Sequence, residues 1–432
     1  RRPSPQPLSR RNGRGALRHI GARLTPRERV ISAVPPLVRG RPVSGTPEVS
    51  VLSGLALATL QVVLAARVTR RLIRTGRGTK IAPSPGTSTV PCVGVIVPVL
   101  NEANRLTPCL EGLIQQGPIV GQIVVADGGS HDGTQQIVAR YASVDPRIRL
   151  VHSSACEPGR NGKANNLQFG LAAIDPALPW VLTIDADVRP GPDLASSLIA
   201  HADQERLTAL SVATRQCVSG WAEALLHPAM LATLVYRFGI PGHATSDRTA
   251  VQANGQCFLI RRDVLATAGG FATVLDSVCE DVTLARLVAE SGKRVGFYET
   301  ATDDLVQVAM YESAPDAWRN WLRSLPMRDR FWGMSGLIGI GEVLLVQAGP
   351  LPISLLFAKR TGPATLLRWL NLVLLAIRIG VLFGTARAYL RRPWTYWLSP
   401  VCDVPVAIGL LLNALRRVHH WRGHLIVRGE PQ

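Results

Sequence analysis

The chain has 432 residues, 48 Lys and Arg against 30 Asp and Glu, a net charge of +18, and 47% hydrophobic residues, enough length for one large core with additions. Charge alone would suit a nucleic-acid binder, but residues 1–48 hold 11 Arg, no Lys and only Glu28 and Glu48 as acids, while Val90 to Asp304 is far closer to balanced. A basic excess confined to the ends and to the edges of apolar stretches fits membrane flanks and argues against a nucleic-acid partner.

Residues 1–48, rich in Arg, Pro, Ser and Gly, lack a sustained apolar period and are expected to form a basic, disordered arm; an Arg-rich leader of this kind also reads as a transit peptide. Residues 49–68 are apolar over about the length that crosses a hydrocarbon core. The Arg cluster that follows predicts that the next domain faces the cytoplasm, and residues 69–89 read as a basic linker. From 90 to 331 apolar strands alternate with helical stretches, the pattern of a mainly parallel sheet covered by helices. Strands are predicted at Val93–Val99, Gln122–Ala126, Ile148–Val151 and the run ending at Ile184, each delivering a polar cluster at its carboxyl end. Residues 335–415 hold two to three transmembrane or interfacial helices, the first broken at Gly349-Pro350, and 416–432 form a basic tail that favours an even number of crossings after the catalytic domain. The seven cysteines are dispersed without a C-x-x-C pair, which reads as small core residues in a reducing compartment.

Asp185-Ala186-Asp187, at the end of a buried apolar run, sets two hard oxygen ligands where ligands bind in open α/β sheets. Such a pair suits Mg²⁺ or Mn²⁺ bridging a diphosphate, although an isolated Asp-x-Asp is as readily a solvated turn. Its companions narrow the choice. Val97-Pro98-Val99-Leu100-Asn101-Glu102, Val125-Ala126-Asp127-Gly128-Gly129-Ser130, Gly162-Lys163-Ala164-Asn165-Asn166 and Asp185-Ala186-Asp187 together resemble, in order and spacing, the signatures of the family 2 glycosyltransferases, inverting enzymes that use nucleotide sugars.

The resemblance implies an α/β fold class: a GT-A (nucleotide-diphospho-sugar transferase) domain with flanking transmembrane helices. It implies a nucleotide-sugar site at Pro98, Asn101, Glu102, Asp127, Gly128, Lys163, Asp185 and Arg323. Metal ligation falls to Asp185 and Asp187, with Asp187 the direct ligand and Asp185 nearer the ribose or the metal shell. An acceptor side follows at Gly255, Gln256 and Glu280, with Asp281 as the base that takes the acceptor proton. A pair of acids opening a helix also serves simply to stabilise its N-terminus.

The long-polysaccharide synthases of the family carry Gln-x-x-Arg-Trp; Asn320-Trp321-Leu322-Arg323-Ser324 keeps only the Arg, which weakens a processive reading. The layout is similar to bacterial carotenoid and hopanoid-associated lipid glycosyltransferases. The expected function is transfer of a sugar from a nucleotide-diphosphate sugar to a membrane lipid hydroxyl, a carotenoid among the options, by an integral protein of the bacterial inner or thylakoid membrane with its catalytic domain cytoplasmic. The alternatives are a polyprenyl-phosphate glycosyltransferase, a polysaccharide synthase, a nucleotidyltransferase and a non-catalytic basic binding protein.

Overall fold

The structure, a computed structural model, describes residues 51–86, 89–359, 363–421 and 424–427. The arm expected at residues 1–48 lies outside the described residues. Helix α1 (Val51–Thr75) begins apolar and carries Arg67, Arg70, Arg71 and Arg74 on its last turns, so the residues expected to open a linker at 69 are helical. Past it, β1 (Lys80–Ile81) is drawn into the main sheet.

The catalytic domain then runs β2 (Val93–Val99), α2 (Leu106–Ile114), β3 (Val120–Asp127), α3 (Thr134–Ala142), β4 (Ile148–His152), α4 (Gly162–Ala173), β5 (Trp180–Ile184), β6 (Val188–Pro190), α5 (Leu194–Glu205), β7 (Ala209–Ala213) and β8 (Arg215–Gln216). It continues with α6 (Trp221–Phe238), β9 (His243–Thr245), β10 (Cys257–Arg261), α7 (Arg262–Thr267), α8 (Glu280–Glu290), β11 (Val295–Thr300), β12 (Val306–Val308) and α9 (Ala314–Ser324). The main sheet is ordered β1-β11-β7-β10-β5-β2-β3-β4, with β9 on β11, and β6-β12-β8 form a small second sheet. In the main sheet pairings are parallel except for β10, antiparallel to both its neighbours, and β9; in the small sheet β12 is antiparallel to β6 and parallel to β8.

Every residue of β2 and β5 is buried, as expected of strands covered on both faces. Alternate residues feed two layers. Val93, Val95 and Val97 pack with Leu106 and Leu110 of α2 and Leu194 of α5, while Ile96, Val124 and Ala126 pack with Leu167 of α4 and Leu284 of α8. β3 and β4 lie on one side of β2 and β5 on the other, so the chain reverses direction across the sheet at β2, where such sheets open a crevice beyond the strand ends. The β2–β5 ladder ends at Ile96 opposite Thr183, while β2–β3 continues to Val99 opposite Asp127. Pro98, with no N–H to give, falls two residues past the last β2–β5 rung.

A helical layer completes the described chain: α10 (Met334–Glu342), a π-helical segment Val343–Ala348, α11 (Pro350–Leu356), α12 (Pro363–Gly384), a 3₁₀ segment Trp394–Cys402 and α13 (Asp403–Leu415). Leu52–Thr75, Ala364–Ala388 and Trp394–Leu415 are long and apolar enough to cross a membrane; Met334–Ala348 with Pro350–Leu356, bent by 47°, would be a fourth. The bend falls where Pro350 follows a π-helical stretch, both recognised causes of kinks. Leu52, Leu356, Leu366, Trp369, Phe383, Trp397 and Leu412 stay exposed, an apolar surface of the kind lipid covers. The final hairpin, β13 (Val418–Trp421) with β14 (His424–Val427), returns to the catalytic domain: Val427 N–H donates to the Gly159 carbonyl at 3.0 Å. The segment expected as a plain basic tail is thus partly an ordered ribbon.

Polar side chains tie these helices together. Gln61 and Asn371 exchange hydrogen bonds at 2.9 and 3.1 Å, Arg67 and Arg71 converge on Glu342, and Arg378 holds Asp403 at 2.8 and 3.0 Å with Gln347 donating to the same carboxylate. Arg378, which interrupts an otherwise apolar run in the sequence, is 0% exposed. Removing one partner of a buried pair strands the other charge. Arg378→Leu is therefore expected to destabilise the protein by about 3 to 5 kcal/mol, and Arg378→Leu with Asp403→Leu by clearly less; thermal unfolding in detergent measures both, and equal losses would contradict the pairing.

Candidate active site

The turns after β2 and β3 are stapled to each other. Asn101 takes a left-handed backbone (φ 56°), a conformation Asn tolerates better than most residues. Its N–H donates to Ser130 Oγ and its Oδ1 accepts from His131 N–H, both at 2.9 Å. Glu102 N–H donates to Thr134 Oγ1 at 2.9 Å, and the Glu102 carboxylate meets Arg105 at 2.8 Å. Asp127, fully buried, accepts from the Ser130 hydroxyl at 2.5 Å and from Gln135 Nε2 at 2.7 Å. A Cβ on Gly128 would stand 2.8 Å from Asn166 Nδ2, so the glycine lets α4 approach the strand end. Pro98, Asn101 and Glu102 line the cleft, whereas Asp127 and Gly128 lie outside its lining, beneath the turn they brace.

Asp185 and Asp187 stand between β5 and β6. Lys163, in the first turn of α4 below the Asn161 cap, places Nζ 2.7 Å from Asp185 and 3.0 Å from Glu280. The sequence had put Lys163 against the nucleotide; the structure spends its ammonium on these two carboxylates, because all three side chains converge on one buried point. Burial pulls the ammonium down, but Asp185, followed by Glu280 and Asp281, outweighs it and holds Lys163 above the ordinary lysine range. Glu280, despite burial, is held below its usual value chiefly by Lys163.

Asp187 has no such cation in contact. Its Oδ1 is buried without a hydrogen-bond partner among the described residues. Burial first, and the Asp185 charge second, push its carboxyl up to about 7. No group of three His, Cys, Asp or Glu that could hold a metal occurs among the described residues. One or two carboxylates suffice for Mg²⁺ when phosphates bring the other ligands, and the open Asp187 oxygen fits that donor set.

On the opposite wall, Asp281 at the start of α8 accepts from Gly255 N–H at 2.5 Å. Burial, then Glu280, raise Asp281 to about 7, against the pull of Lys163. A Cβ on Gly255 would lie 2.9 Å from Lys163 Nζ and 3.2 Å from Asp281 Oδ2. Gln256 gives its carbonyl to Asp185 N–H at 3.1 Å, and its Oε1 accepts from Thr214 Oγ1 at 2.5 Å and Asn254 Nδ2 at 2.9 Å. That leaves Nε2 unpartnered among the described residues, directed by an amide whose oxygen is already taken.

The cleft has a volume of about 680 Å³ and gathers Lys163, Asp185, Asp187, Gly255, Gln256, Glu280, Asp281 and Arg323. Arg323, on α9, has its guanidinium pKa lowered by burial. Residues the sequence did not single out also line it: Arg105, Thr214, His227, Tyr311 and, next to Asn320 on α9, Trp321. Trp321 was visible only as the displaced aromatic of an imperfect motif. His227 carried no signal, since its neighbours come from distant segments.

An acidic pair at a sheet's crevice, faced by Asp281 at a helix start, sits on a mixed α/β fold of GT-A architecture. Residues 94–269 match the family described as Glycosyl transferase family 2. The chain is 23% identical over 265 residues to the succinoglycan biosynthesis protein ExoA of Rhizobium meliloti, covering 61% of this chain and 77% of that one. It is 32% identical over 100 residues to the dolichyl-phosphate beta-glucosyltransferase ALG5C of Trichomonas vaginalis, covering 21% of this chain and 28% of that one. Among solved structures, the mannosyltransferase PcManGT of Pyrobaculum calidifontis, in complex with GDP-Man and Mn²⁺, superposes with a TM-score of 0.50 at 24% identity, covering 83% of this chain and 99% of that one. By fold and relatives the chain is a glycosyltransferase, and residues 94–269 carry its match to family 2.

Gly255→Ala tests the packing of the base wall. It is expected to displace Lys163 or Asp281 by a few tenths of an ångström and to lower turnover by about 10- to 100-fold with little change in melting temperature; nucleotide release from the donor measures it, and wild-type turnover would contradict the geometry.

Proposed function

We propose that the protein is a metal-dependent, inverting glycosyltransferase that moves a sugar from a nucleotide-diphosphate sugar to the hydroxyl of a membrane lipid. The observation that carries this reading is the continuity of the cleft: the space bounded by Asp187 and Asp281 is also lined by Leu231, Leu234 and Val235 of α6, by Gly384 at the end of α12 and by Thr385 and Ala388 after it. A charged donor arriving from water and an acceptor held by apolar helices meet there. The C-terminal resemblance makes a carotenoid alcohol one instance of such an acceptor.

In this reading Pro98, Asn101, Glu102 and Arg105 form the donor wall, with Asp127 and Gly128 bracing it. Arg323 meets diphosphate charge. Asp187, with Asp185 beside it, would hold Mg²⁺ or Mn²⁺, which supplies charge neutralisation to the departing diphosphate. The acceptor oxygen attacks the anomeric carbon as the bond to the diphosphate oxygen breaks, and Asp281 takes the acceptor proton. Lys163 and Glu280 fix the electrostatic setting of that base, and Gln256 offers its amide N–H to the sugars. Glycosyl transfer to a polyprenyl phosphate or to a growing saccharide is the second reading, favoured by Arg323 and Trp321 in the cleft.

Labelled nucleotide sugars supplied with Mn²⁺ to membranes, with products divided into lipid-extractable, phosphate-bearing and insoluble fractions, separate these readings. Neutral labelled lipid is expected; insoluble polymer or phosphate-linked label would promote the second. Asp281→Asn is expected to lower kcat by about 10²- to 10⁴-fold, and Asp187→Ala to remove the metal response. The base works deprotonated, and Asp281 is raised to about 7 by burial and then by Glu280, against the pull of Lys163. Activity of the free enzyme should therefore rise with pH through about 7 and level above it; a profile flat from pH 5 to 9 would sink the assignment.

For the membrane, the pairing of β14 with Gly159 supports a chain that returns to the catalytic side after α13, hence an even number of crossings after the catalytic domain. The bent α10–α11 pair then enters and leaves one face, and α12 and α13 cross. The Arg-rich end of α1 supports a cytoplasmic catalytic domain in the inner or thylakoid membrane. A single cysteine at position 359 of a cysteine-free variant should react with an impermeant reagent only from the cytoplasmic face; labelling from the outer face would reverse this topology.

A further inference from the structure

His227 sits on α6 where the cleft passes from the carboxylates towards the membrane helices. Its ring is 1% exposed and lines the cleft. Nδ1 lies 2.8 Å from the Tyr389 hydroxyl, while Nε2 is buried with no partner among the described residues. Trp321 covers the ring at a centroid distance of 4.2 Å and 37° between planes, and Tyr389 meets it edge-on at 5.4 Å. The ring is thus held in place by two aromatic contacts and a hydrogen bond, while Nε2 is left without a partner among the described residues. A buried polar atom left unpaired costs stability unless a ligand takes it up.

Burial holds the imidazole down to about 3, so the ring is neutral under any working condition. The His227–Tyr389 contact fits either tautomer; in the one where the Tyr389 hydroxyl donates to Nδ1, the ring proton sits on Nε2, a donor matched to an oxygen. Further along α6, Leu231, Leu234 and Val235 line the same cleft. Positions four, seven and eight residues on from a helical residue share its face, so one stripe of α6 offers a polar tip followed by an apolar track. Thr385 and Ala388, from the segment after α12, line the cleft as well.

We propose that His227 is an acceptor-contact residue: its Nε2 hydrogen-bonds an oxygen of the lipid acceptor's headgroup, and the hydrocarbon lies along Leu231, Leu234 and Val235. The proposal rests on the lipid-glycosyltransferase reading and adds to it the residue that recognises the acceptor and the path of its chain. The occupant is argued from the continuity of this stripe with helices whose outer faces are apolar and exposed. His227 takes no part in donor binding, which confines its effect to one half of the reaction.

The test uses the full chain in lipid–detergent micelles with Mn²⁺ and a labelled nucleotide sugar that the wild type turns over, farnesol and farnesyl phosphate as acceptor probes, and nucleotide release to water as the record of the donor site. His227→Phe and His227→Asn are expected to raise the KM for the farnesyl probe about tenfold, the loss of one hydrogen bond, with release to water and melting temperature unchanged. His227→Gln, whose amide nitrogen reaches the Nε2 position, should stay within about threefold of wild type. Leu231→Trp should lose transfer to the probe while keeping release to water. A wild-type KM in His227→Phe, or release to water falling in step with transfer, overturns the assignment. Absence of any release by the wild type strikes glycosyl transfer itself. Release to water with no transfer to either probe removes the lipid reading and the His227 assignment together, and the preferred probe shows whether the recognised oxygen belongs to an alcohol or a phosphate.

Discussion

The site depends on one ammonium. Lys163 stands within 3.0 Å of Asp185 and of Glu280, and without it several carboxylates would crowd one buried volume. Like charges at such range repel strongly where water is excluded. With Lys163 in place, Glu280 is held below its usual value, while burial and like charge raise Asp187 and Asp281 to about 7. The four acids are thereby divided into a pair in contact with the cation, Asp185 and Glu280, and a pair outside that contact, Asp187 and Asp281. Lys163 can hold this post because Asn161 caps α4 through the Lys163 and Ala164 N–H groups and also donates to Glu280 at 3.1 Å, which locks the helix start and α8 into a common frame.

The second dependency is α6. It packs against α1 through Tyr236 and Val235 with Leu64 and Val68, and against α13 through Ala229 and Met230 with Val406 and Leu410, yet its His227 lines the catalytic cleft. Catalytic domain and membrane helices therefore share an element rather than meeting across a linker. The Arg378–Asp403 pair and the Gln61–Asn371 bonds fix the partners against which α6 is seated. Polar contacts of this kind are few in apolar helices and gain weight there because nothing else can satisfy the groups.

Legibility followed locality. β2 spans Val93–Val99 as read from its apolar run, and β5 ends at Ile184 as the Asp-x-Asp reading required, because continuous buried strands announce themselves residue by residue. Asp187, Gly255 and Asp281 reached the cleft from motifs for the same reason. The role of Lys163 was not legible: its partner Glu280 lies on another helix, and only the fold brings the two together. β1, two residues long, and β8, also two, carry no periodicity to detect. Asp127 accepts from Ser130 and Gln135, partners within the turn and helix that follow it, which the spacing of the motif does not encode.

The orphaned polar atoms mark where the fold is completed by something other than itself. Asp187 Oδ1, Gln256 Nε2 and His227 Nε2 are each buried without a partner among the described residues, and all three residues line one cleft. A core selected only for stability would pair such groups or replace them with apolar ones. Their order is chemical: a carboxylate oxygen for a cation, an amide N–H for hydroxyls, and a neutral imidazole where the surface turns apolar. The lining of one cavity thus passes from carboxylates to hydrocarbon, and α6, with His227 followed by Leu231, Leu234 and Val235, is where it changes.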